Sequence, residues 1–262
     1  MQITERIYNK LNRYYSKYLI KTKSREYRCG EVTLKYMFIP KRSSRTMITV
    51  FSGMNPRRAS YGYVNHLNDM RHNRLYILDD FGDDILGCFY LGTNQQFQVE
   101  HAVRCLVEEL TRIHQIDRHI FVGSSKGGYA ALNFGIEYPK ASIICAAPQY
   151  RLGYYLTYRK SPQLLHVIAG SDPSTEFLDM LSSRLSDKLA AAATSFRGKI
   201  YLHFSDAEHT YEGHVQYLLQ DLERYHYNYD TDRSDYPSHD HVGLYFPAYL
   251  KKSLAEATEN PS

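Results

Sequence analysis

The fold is decided by the stretch IFVGSSKGGYAAL, residues 120–132. It opens with an apolar run that is typical of a buried strand, and an alanine-rich helical run follows its glycines. Gly123, Ser125 and Gly127 fit the pattern G-x-S-x-G, in which a sharp strand-to-helix turn exposes a serine hydroxyl. Glycines flank such a serine because nearby backbone must approach without meeting a Cβ atom. We therefore predict that Ser125 is a nucleophile, since Ser124 lacks glycines two residues before and after it.

The sequence around this turn alternates between predicted strands and helices. Strands are predicted at 33–39, 46–51, 75–78, 120–122, 141–147, 199–204 and 225–229. Helices are predicted at 99–114, 126–138, 176–192, 211–224 and 242–255. This alternation is typical of a largely parallel sheet with helices on both faces, in which ligands bind beyond the carboxyl ends of the strands. We expect one α/β domain over residues 1–262, with residues 148–160 irregular, 150–195 a lid or substrate segment, and a frayed tail after 255.

The composition limits the class of protein. The 262 residues are 43% hydrophobic with a mean hydropathy of −0.49, and no run of eighteen apolar residues occurs. These values predict a globular, cytoplasmic protein. The net charge of +4 is too small to indicate nucleic-acid binding. The cysteines have no C-x-x-C spacing, so we expect no metal site and interpret Cys105 and Cys145 as small core residues.

Residues 1–28 predict a basic amphipathic helix. They carry eight basic and two acidic side chains, and their apolar residues recur at helical spacing: Ile3, Ile7, Leu11, Tyr14 and Tyr18. The helix would pack on a sheet edge, or would contact an anionic membrane or a partner protein. Packing is favoured because much of the apolar side is tyrosine.

A serine nucleophile needs a histidine base and an acid that orients the histidine. In α/β-hydrolases the acid and then the histidine follow the serine along the chain. Asp206 and Glu208 follow a late predicted strand. Glu208 is favoured because a small residue, Ser205, lies three positions before it. His239 and His241 precede the last helix, and His239 is favoured because Asp240 can then cap that helix.

An oxyanion hole needs two backbone N–H groups that point at the developing negative charge. Lys126, directly after the serine, and Met54, after the second predicted strand, are our candidates. Only their backbone groups are required, so we expect their side chains to be incidental. Arg57 and Arg58 follow the same loop and could bind phosphate groups of a substrate, or could be ordinary surface charge.

Residues 123–128 resemble the α/β-hydrolase-fold capsular polysaccharide O-acetyltransferases of the meningococcal serogroup A type. The likeness continues through residues 146–152 and 168–171, and it returns at Glu208 and at residues 238–240. A related likeness is to the acetyltransferase of accessory secretion systems, which shares the serine motif and a glutamate-type acid.

The resemblance implies that an acetyl group moves from acetyl-CoA through Ser125 to a hydroxyl of a capsular or surface polysaccharide. Glu208 and His239 would complete the catalytic triad. The first alternative is a carbohydrate acetyl esterase or thioesterase with the same triad. The second is a non-catalytic scaffold in a polysaccharide assembly complex. The expected location is the cytoplasm, at the inner face of the membrane if the N-terminal helix binds there.

Overall fold

One mixed sheet organises the chain. The computed structural model describes residue 15 and residues 18–54, 59–82, 86–158 and 161–259. The strands within these ranges are β1 (Arg25–Cys29), β2 (Val32–Ile39), β3 (Thr46–Phe51), β4 (Asn73–Leu78), β5 (Arg118–Ser124), β6 (Ser142–Ala146), β7 (Lys199–Ser205) and β8 (Tyr229–Ser234). Their spatial order is β1-β2-β4-β3-β5-β6-β7-β8. β2 runs antiparallel to β1 and β4, and the remaining neighbours are parallel.

Helices cover both faces of this sheet. They are α1 (Gln98–His114), α2 (Lys126–Gly135), α3 (Leu152–Tyr158), α4 (Pro162–Ala169), α5 (Thr175–Ala192), α6 (Gln216–Arg224) and α7 (Val242–Glu259). A π-helical turn, Tyr211–Val215, leads into α6, and a short 3₁₀ turn, His239–His241, leads into α7. Helices α1, α2, α5 and α6 bury apolar residues on one face, whereas α7 and the helical residues 18–23 lie on the other. The predicted mostly parallel sheet with helices on both faces is therefore confirmed.

The two faces follow from alternation along the central strands. In β5, Phe121 packs in the core of the first face, while Ile120 and Val122 pack in the core of the second. All residues of β3 and β4 are buried, as expected for strands covered on both sides. Because the central strands are parallel, their carboxyl ends lie at the same end of the sheet. The loops that follow β3, β5, β6 and β7 are therefore neighbours at that end.

The prediction of a helix over residues 1–28 was wrong at its carboxyl end. The described helix ends at Lys23, and residues 25–28 belong to β1. β1 is an edge strand with one neighbour, and three of its five residues are exposed, so its sequence lacks strong hydrophobic alternation. Leu19 is buried against the second face of the sheet. Residues 1–14 and 16–17 of the predicted helix lie outside the described residues.

Other local predictions also need correction. The last strand lies at 229–234 and not at 225–229, and the segment 148–160 contains helix α3. Helix α7 continues to Glu259 where a frayed tail was expected. Cys145 is buried as predicted, but Cys105 is only half-buried. Within the segment 150–195, α5 buries three leucines in the core, and the role of this segment as a lid stays a prediction.

None of the helices in the described ranges combines the length and apolar character needed to cross a bilayer.

Candidate active site

Ser125 lies in the turn between β5 and α2 in an unusual backbone conformation. Its φ of 54° and ψ of −122° are unfavourable for a residue with a side chain. The turn is held by two backbone hydrogen bonds: Ser125 N–H donates to the Ala146 carbonyl at 2.8 Å, and Tyr129 N–H donates to the Ser125 carbonyl at 3.0 Å. Strain of this kind persists only where the surroundings enforce it, and it is common at active sites.

The glycines on either side of Ser125 are required by close backbone approach. A Cβ atom on Gly123 would lie 2.1 Å from the carbonyl oxygen of Gly127. A Cβ atom on Gly127 would lie 2.4 Å from the carbonyl oxygen of Phe51. Both distances are far shorter than a van der Waals contact, so only glycine permits β5, α2 and β3 to approach in this way. The G-x-S-x-G pattern is thus explained by packing around the turn.

The structure brings Ser125, His239 and Glu208 together from three separate parts of the chain. The Nε2 atom of His239 lies 2.8 Å from Ser125 Oγ, and its Nδ1 atom lies 3.4 Å from each carboxylate oxygen of Glu208. With a proton on Nδ1, Nε2 can accept the serine proton. The order of the contacts is that of a nucleophile, a base and an orienting acid.

Glu208 is suited to the role of a buried anion. Its side chain is fully buried and accepts hydrogen bonds from the backbone N–H of Thr210 at 2.9 Å and from the Thr210 hydroxyl. Burial alone would raise the pKa of Glu208, but the hydrogen bond and positive charge of His239, followed by the Thr210 hydrogen bonds, hold that pKa below its ordinary value. The carboxylate therefore stays ionised at neutral pH and can stabilise a protonated His239.

The alternative candidates face elsewhere. Asp206 is exposed and forms an ion pair with Arg233. The backbone N–H of His241 bonds to the Ser238 carbonyl within the 3₁₀ turn, and its side chain is not among the groups that contact Ser125. Ser124 Oγ accepts a hydrogen bond of 2.5 Å from the Tyr63 hydroxyl. The geometry thus distinguishes residues that the sequence left as near neighbours.

Two side chains beside the triad were missed by the sequence analysis. The Nε2 atom of Gln149, after β6, donates to Ser125 Oγ at 2.8 Å and lies 3.4 Å from His239 Nε2. Gln149 is almost fully buried. The Nδ1 atom of His209 lies 3.5 Å from Glu208 Oε2. Only the position of Gln149 at the carboxyl end of a strand could have indicated this neighbourhood.

Donor atoms of Glu208, His209 and His239 lie within 4.8 Å of one another, a spacing that a metal ion could use. However, Glu208 already accepts hydrogen bonds from Thr210, and His239 Nε2 already faces Ser125. These contacts fit a proton-transfer arrangement better than a ligand set, because a metal ligand must present an available lone pair.

The loop after β3 packs directly against the turn that carries Ser125. A Cβ atom on Gly53 would lie 3.4 Å from the carbonyl oxygen of Ser124, so the backbone of residues 52–54 passes close to the nucleophile. Ser52 N–H is bonded to the Tyr90 hydroxyl at 2.7 Å. Met54 follows as a half-buried residue, and Lys126 is the first residue of α2. The first N–H groups of a helix have no partner within the helix and can bind an anion.

The side chain of Lys126 is not incidental, contrary to our prediction. It is buried, and its Nζ atom lies 2.9 Å from Asp79 Oδ2 and donates to the Leu86 carbonyl at 2.9 Å. Asp79 also accepts hydrogen bonds from the backbone N–H groups of Cys88 and Tyr90. Lys126 therefore connects the nucleophile turn to the loop after β4.

His214 is a buried and neutral side chain in the turn before α6. Its Nδ1 atom accepts a hydrogen bond of 3.1 Å from the backbone N–H of Arg151. Burial, and then the positive charge of Arg151, lower the pKa of His214 to about 3. Arg151 in turn stacks its guanidinium on the rings of Tyr154 and Tyr217. The predicted phosphate-binding residues Arg57 and Arg58 lie outside the described residues.

Known proteins resemble this chain in fold, but no similar sequence was found among families or curated proteins. Among solved structures, the capsule O-acetyltransferase of Neisseria meningitidis serogroup A, as a variant in complex with CoA, is similar with a TM-score of 0.72 and 20% identity. The match covers 91% of this chain and 99% of that one.

Two further solved structures are similar. FphF, a fluorophosphonate-binding serine hydrolase of Staphylococcus aureus, has a TM-score of 0.67 at 14% identity, over 90% of this chain and 98% of that one. The glycosylation-associated Gap123 complex of Streptococcus agalactiae has a TM-score of 0.70 at 17% identity, over 89% of this chain and 46% of that one. Together with the strand order and the turn at Ser125, these likenesses show that the chain has the α/β-hydrolase fold.

Proposed function

We propose that this protein is an O-acetyltransferase that moves an acetyl group from acetyl-CoA, through Ser125, to a hydroxyl of a capsular or other surface polysaccharide. The observation that carries the proposal is the contact of Ser125 Oγ with His239 Nε2, backed by the buried Glu208. The choice of donor is supported by the CoA complex of the similar meningococcal capsule O-acetyltransferase. Ser125, His239 and Glu208 are the proposed catalytic residues.

In the first half of the reaction, His239 Nε2 takes the proton of Ser125 while Oγ attacks the thioester carbonyl. The oxyanion that forms is stabilised by the backbone N–H groups of Met54 and Lys126, the proposed oxyanion hole. When the carbon–sulfur bond breaks, the coenzyme A sulfur receives the proton from His239 and leaves as a thiol. The acetyl group is then an ester on Ser125 Oγ.

In the second half of the reaction, a sugar hydroxyl attacks the acetyl-serine ester, where water would attack in a hydrolase. His239 removes its proton, the sugar oxygen bonds to the acetyl carbon, and the bond to Ser125 Oγ breaks as the serine regains a proton. Acetyl transfer thus requires that the sugar reach the acetyl-enzyme before water does. The exposed Tyr158, stacked on Tyr154 at 5.0 Å between ring centroids, offers an aromatic surface of the kind that sugars bind.

Arg57 and Arg58 are proposed to bind phosphate groups of the acetyl donor. The pair follows Met54 in the chain, so it starts from the loop that packs on the nucleophile turn. Arginine suits this role because its planar guanidinium binds phosphate oxygens in a bidentate manner. The segment 150–195 is proposed as a wall or lid of the substrate site.

An esterase or thioesterase is the alternative with the same first half-reaction. It is favoured by the similarity to serine hydrolases and to an S-formylglutathione hydrolase of Agrobacterium tumefaciens. A scaffold without catalysis is favoured only by the similarity to the Gap123 complex. The complete serine, histidine and glutamate arrangement argues against it.

The basic N-terminal segment gives a further proposal on location. We propose that it holds the enzyme at the inner face of the membrane or against a capsule-assembly complex, because eight of its first 28 residues are basic. Sedimentation with anionic vesicles tests the membrane contact, and equal recovery of the full chain and a variant without these positive charges would contradict that contact.

The proposed activity is tested by incubating the protein with acetyl-CoA, with and without acceptor polysaccharide. We expect coenzyme A release that depends on acceptor, and an acetyl-enzyme detected by mass spectrometry. Ser125→Ala should abolish both, whereas Ser124→Ala should retain them. Equal release without acceptor would indicate a hydrolase. Absence of both release and acetyl-enzyme would contradict either enzymatic function.

The same assay tests the other two members of the triad against their near neighbours. Glu208→Gln and His239→Ala should lower the rate by about 10³-fold or more. The matched controls Asp206→Asn and His241→Ala should retain most activity. If a control variant lost more activity than the corresponding triad variant, Asp206 would be the acid or His241 the base.

A further inference from the structure

A second cluster of reactive side chains lies outside the proposed active site, on the opposite part of the sheet. Cys29 is the last residue of β1 and pairs with Val32 across a tight turn. His101 and Cys105 are four residues apart on α1, so they share one face of that helix. The side chains of Cys29, His101 and Cys105 converge although 72 residues separate the first from the second.

The spacing of the three donor atoms suits a tetrahedral metal ion. The two thiol sulfurs and a ring nitrogen all lie within 4.8 Å of one another, and Cys105 Sγ is 3.6 Å from His101 Nε2. Zinc–sulfur bonds of about 2.3 Å and zinc–nitrogen bonds of about 2.0 Å at tetrahedral angles place such ligands about 3.5 to 3.8 Å apart. The distance from Cys105 Sγ to His101 Nε2 lies in this range, and Cys29 Sγ is within 4.8 Å of both.

The surroundings leave room for a fourth ligand. A cavity of about 510 Å³ adjoins the cluster and is lined by Cys29, His101, Glu31 and Gln98, among others. A water molecule or the carboxylate of Glu31 could complete the coordination from this side. Thiolate and imidazole ligands select zinc over the hard cations magnesium and calcium.

The two thiols are close enough to influence each other. Two adjacent thiolates are therefore disfavoured in the absence of a cation, and a bound dication reverses this effect.

We propose that Cys29, His101 and Cys105 bind a zinc ion that fastens the β1–β2 hairpin to helix α1. On binding, each thiol releases one proton and bonds to zinc as a thiolate, while neutral His101 donates its nitrogen lone pair. β1 has one strand neighbour and largely exposed side chains, so the ion stabilises the weakest edge of the sheet. This proposal is independent of the proposed acetyltransferase activity.

The zinc site is separate from Ser125. Three strands, β2, β4 and β3, lie between β1 and β5. Four strand spacings of about 4.8 Å give a separation of about 19 Å. The ion would therefore affect the stability of the hairpin and not the chemistry of the triad.

Cobalt substitution tests the site directly. The reduced full-length protein, freed of metal with a chelator, is titrated with Co²⁺, whose thiolate complexes absorb in the near ultraviolet and visible. We expect one equivalent to produce these bands and one equivalent of Zn²⁺ to remove them. Cys105→Ser and His101→Ala should lose the bands, and the matched control His166→Ala, an exposed helical histidine, should keep them.

A measurement on the unaltered protein keeps the proposal testable if a variant fails to fold. Cys29 and Cys105 are the half-buried thiols, whereas Cys88 and Cys145 are buried. Zn²⁺ should protect two thiols per chain from a thiol reagent and reduce hydrogen exchange in β1. Absence of cobalt–thiolate bands in the reduced protein, or thiol reactivity unchanged by Zn²⁺, would overturn the zinc site. A Cys29–Cys105 disulfide that persists in reductant would also overturn the zinc site, because both thiols would then be unavailable to the metal.

Discussion

The hydroxyl of Ser125 has two nitrogen neighbours at the same distance, one of which donates a hydrogen bond while the other can accept the serine proton. His239 Nε2 and Gln149 Nε2 each lie 2.8 Å from Oγ. The amide of Gln149 can only donate through this nitrogen, so the serine hydroxyl accepts from Gln149 and directs its own proton to His239. We therefore expect Gln149 to be a positioning residue that orients the Ser125 hydroxyl toward His239.

Replacing Gln149 with methionine removes this donor and keeps a side chain of similar length. We expect kcat for acetyl-CoA to fall about tenfold to a hundredfold, with KM changed much less, because the lost contact orients the reacting group. Gln163→Met, the same change at an exposed position of α4, is the control. An unchanged kcat, or an effect confined to KM, would refute the positioning role.

The residues of the candidate site differed in how well the sequence predicted them. Ser125 is part of a local pattern in which strand, turn and helix are adjacent in the chain. Glu208 was preferred to its near neighbour by spacing and His239 because Asp240 could then cap the last helix, and their assignment as catalytic residues stays a prediction. Gln149 has no local signature, because it reaches Ser125 only through the pairing of β5 with β6.

At the scale of elements, the buried ion pair of Lys126 and Asp79 joins α2 to the loop after β4. Both side chains are at most 3% exposed, so neither charge can be solvated if its partner is removed. Lys126→Met should lower the free energy of unfolding by about 3 to 5 kcal/mol, measured by denaturant titration. The exposed Lys140→Met is the control. A loss below about 1 kcal/mol would show that the pair contributes little.

The turn that precedes α6 makes stability depend on pH. The pKa of His214 is about 3 in the folded chain and about 6.5 for an ordinary histidine. Between these values the unfolded chain binds a proton at this side chain and the folded chain does not. The free energy of unfolding therefore falls as pH decreases through this range, by up to about 1.4 kcal/mol per pH unit.

His214→Asn should flatten this dependence, because the asparagine carbonyl can still accept from Arg151 N–H but cannot titrate. The measurement is the free energy of unfolding at several pH values between 4 and 6.5. His226→Asn, at an exposed histidine, is the control and should leave the slope as it is. Equal slopes in the two variants would mean that His214 does not cause the dependence.

The strands that sequence patterns missed or misplaced are those at the edges of the sheet. β8 has the sequence YDTDRS, and each of its residues is exposed or half-buried. Like β1, it has one strand neighbour and only limited burial, so hydrophobic periodicity cannot reveal it. The central strands were predicted because both of their faces are covered and each contains a buried run rich in apolar residues, such as IFV in β5.

For the whole molecule, the central strands bind the two cores into one unit. β3 contributes Met47 and Phe51 to the first core and Ile48 and Val50 to the second. Neither core can lose its packing without disturbing strands that also form the other. We therefore expect the chain to unfold as one cooperative domain, which is the domain organisation that the sequence predicted.

Hydrogen exchange at increasing denaturant tests this expectation, because α1 reports on the first core and α7 on the second. Slowly exchanging amides of both helices should lose protection at the same denaturant concentration with the same dependence on it. Peptides from β1 should exchange earlier, since this edge strand has one neighbour. If α7 lost protection while α1 kept it, the two faces would be separate cooperative units, and the single-domain prediction would be wrong.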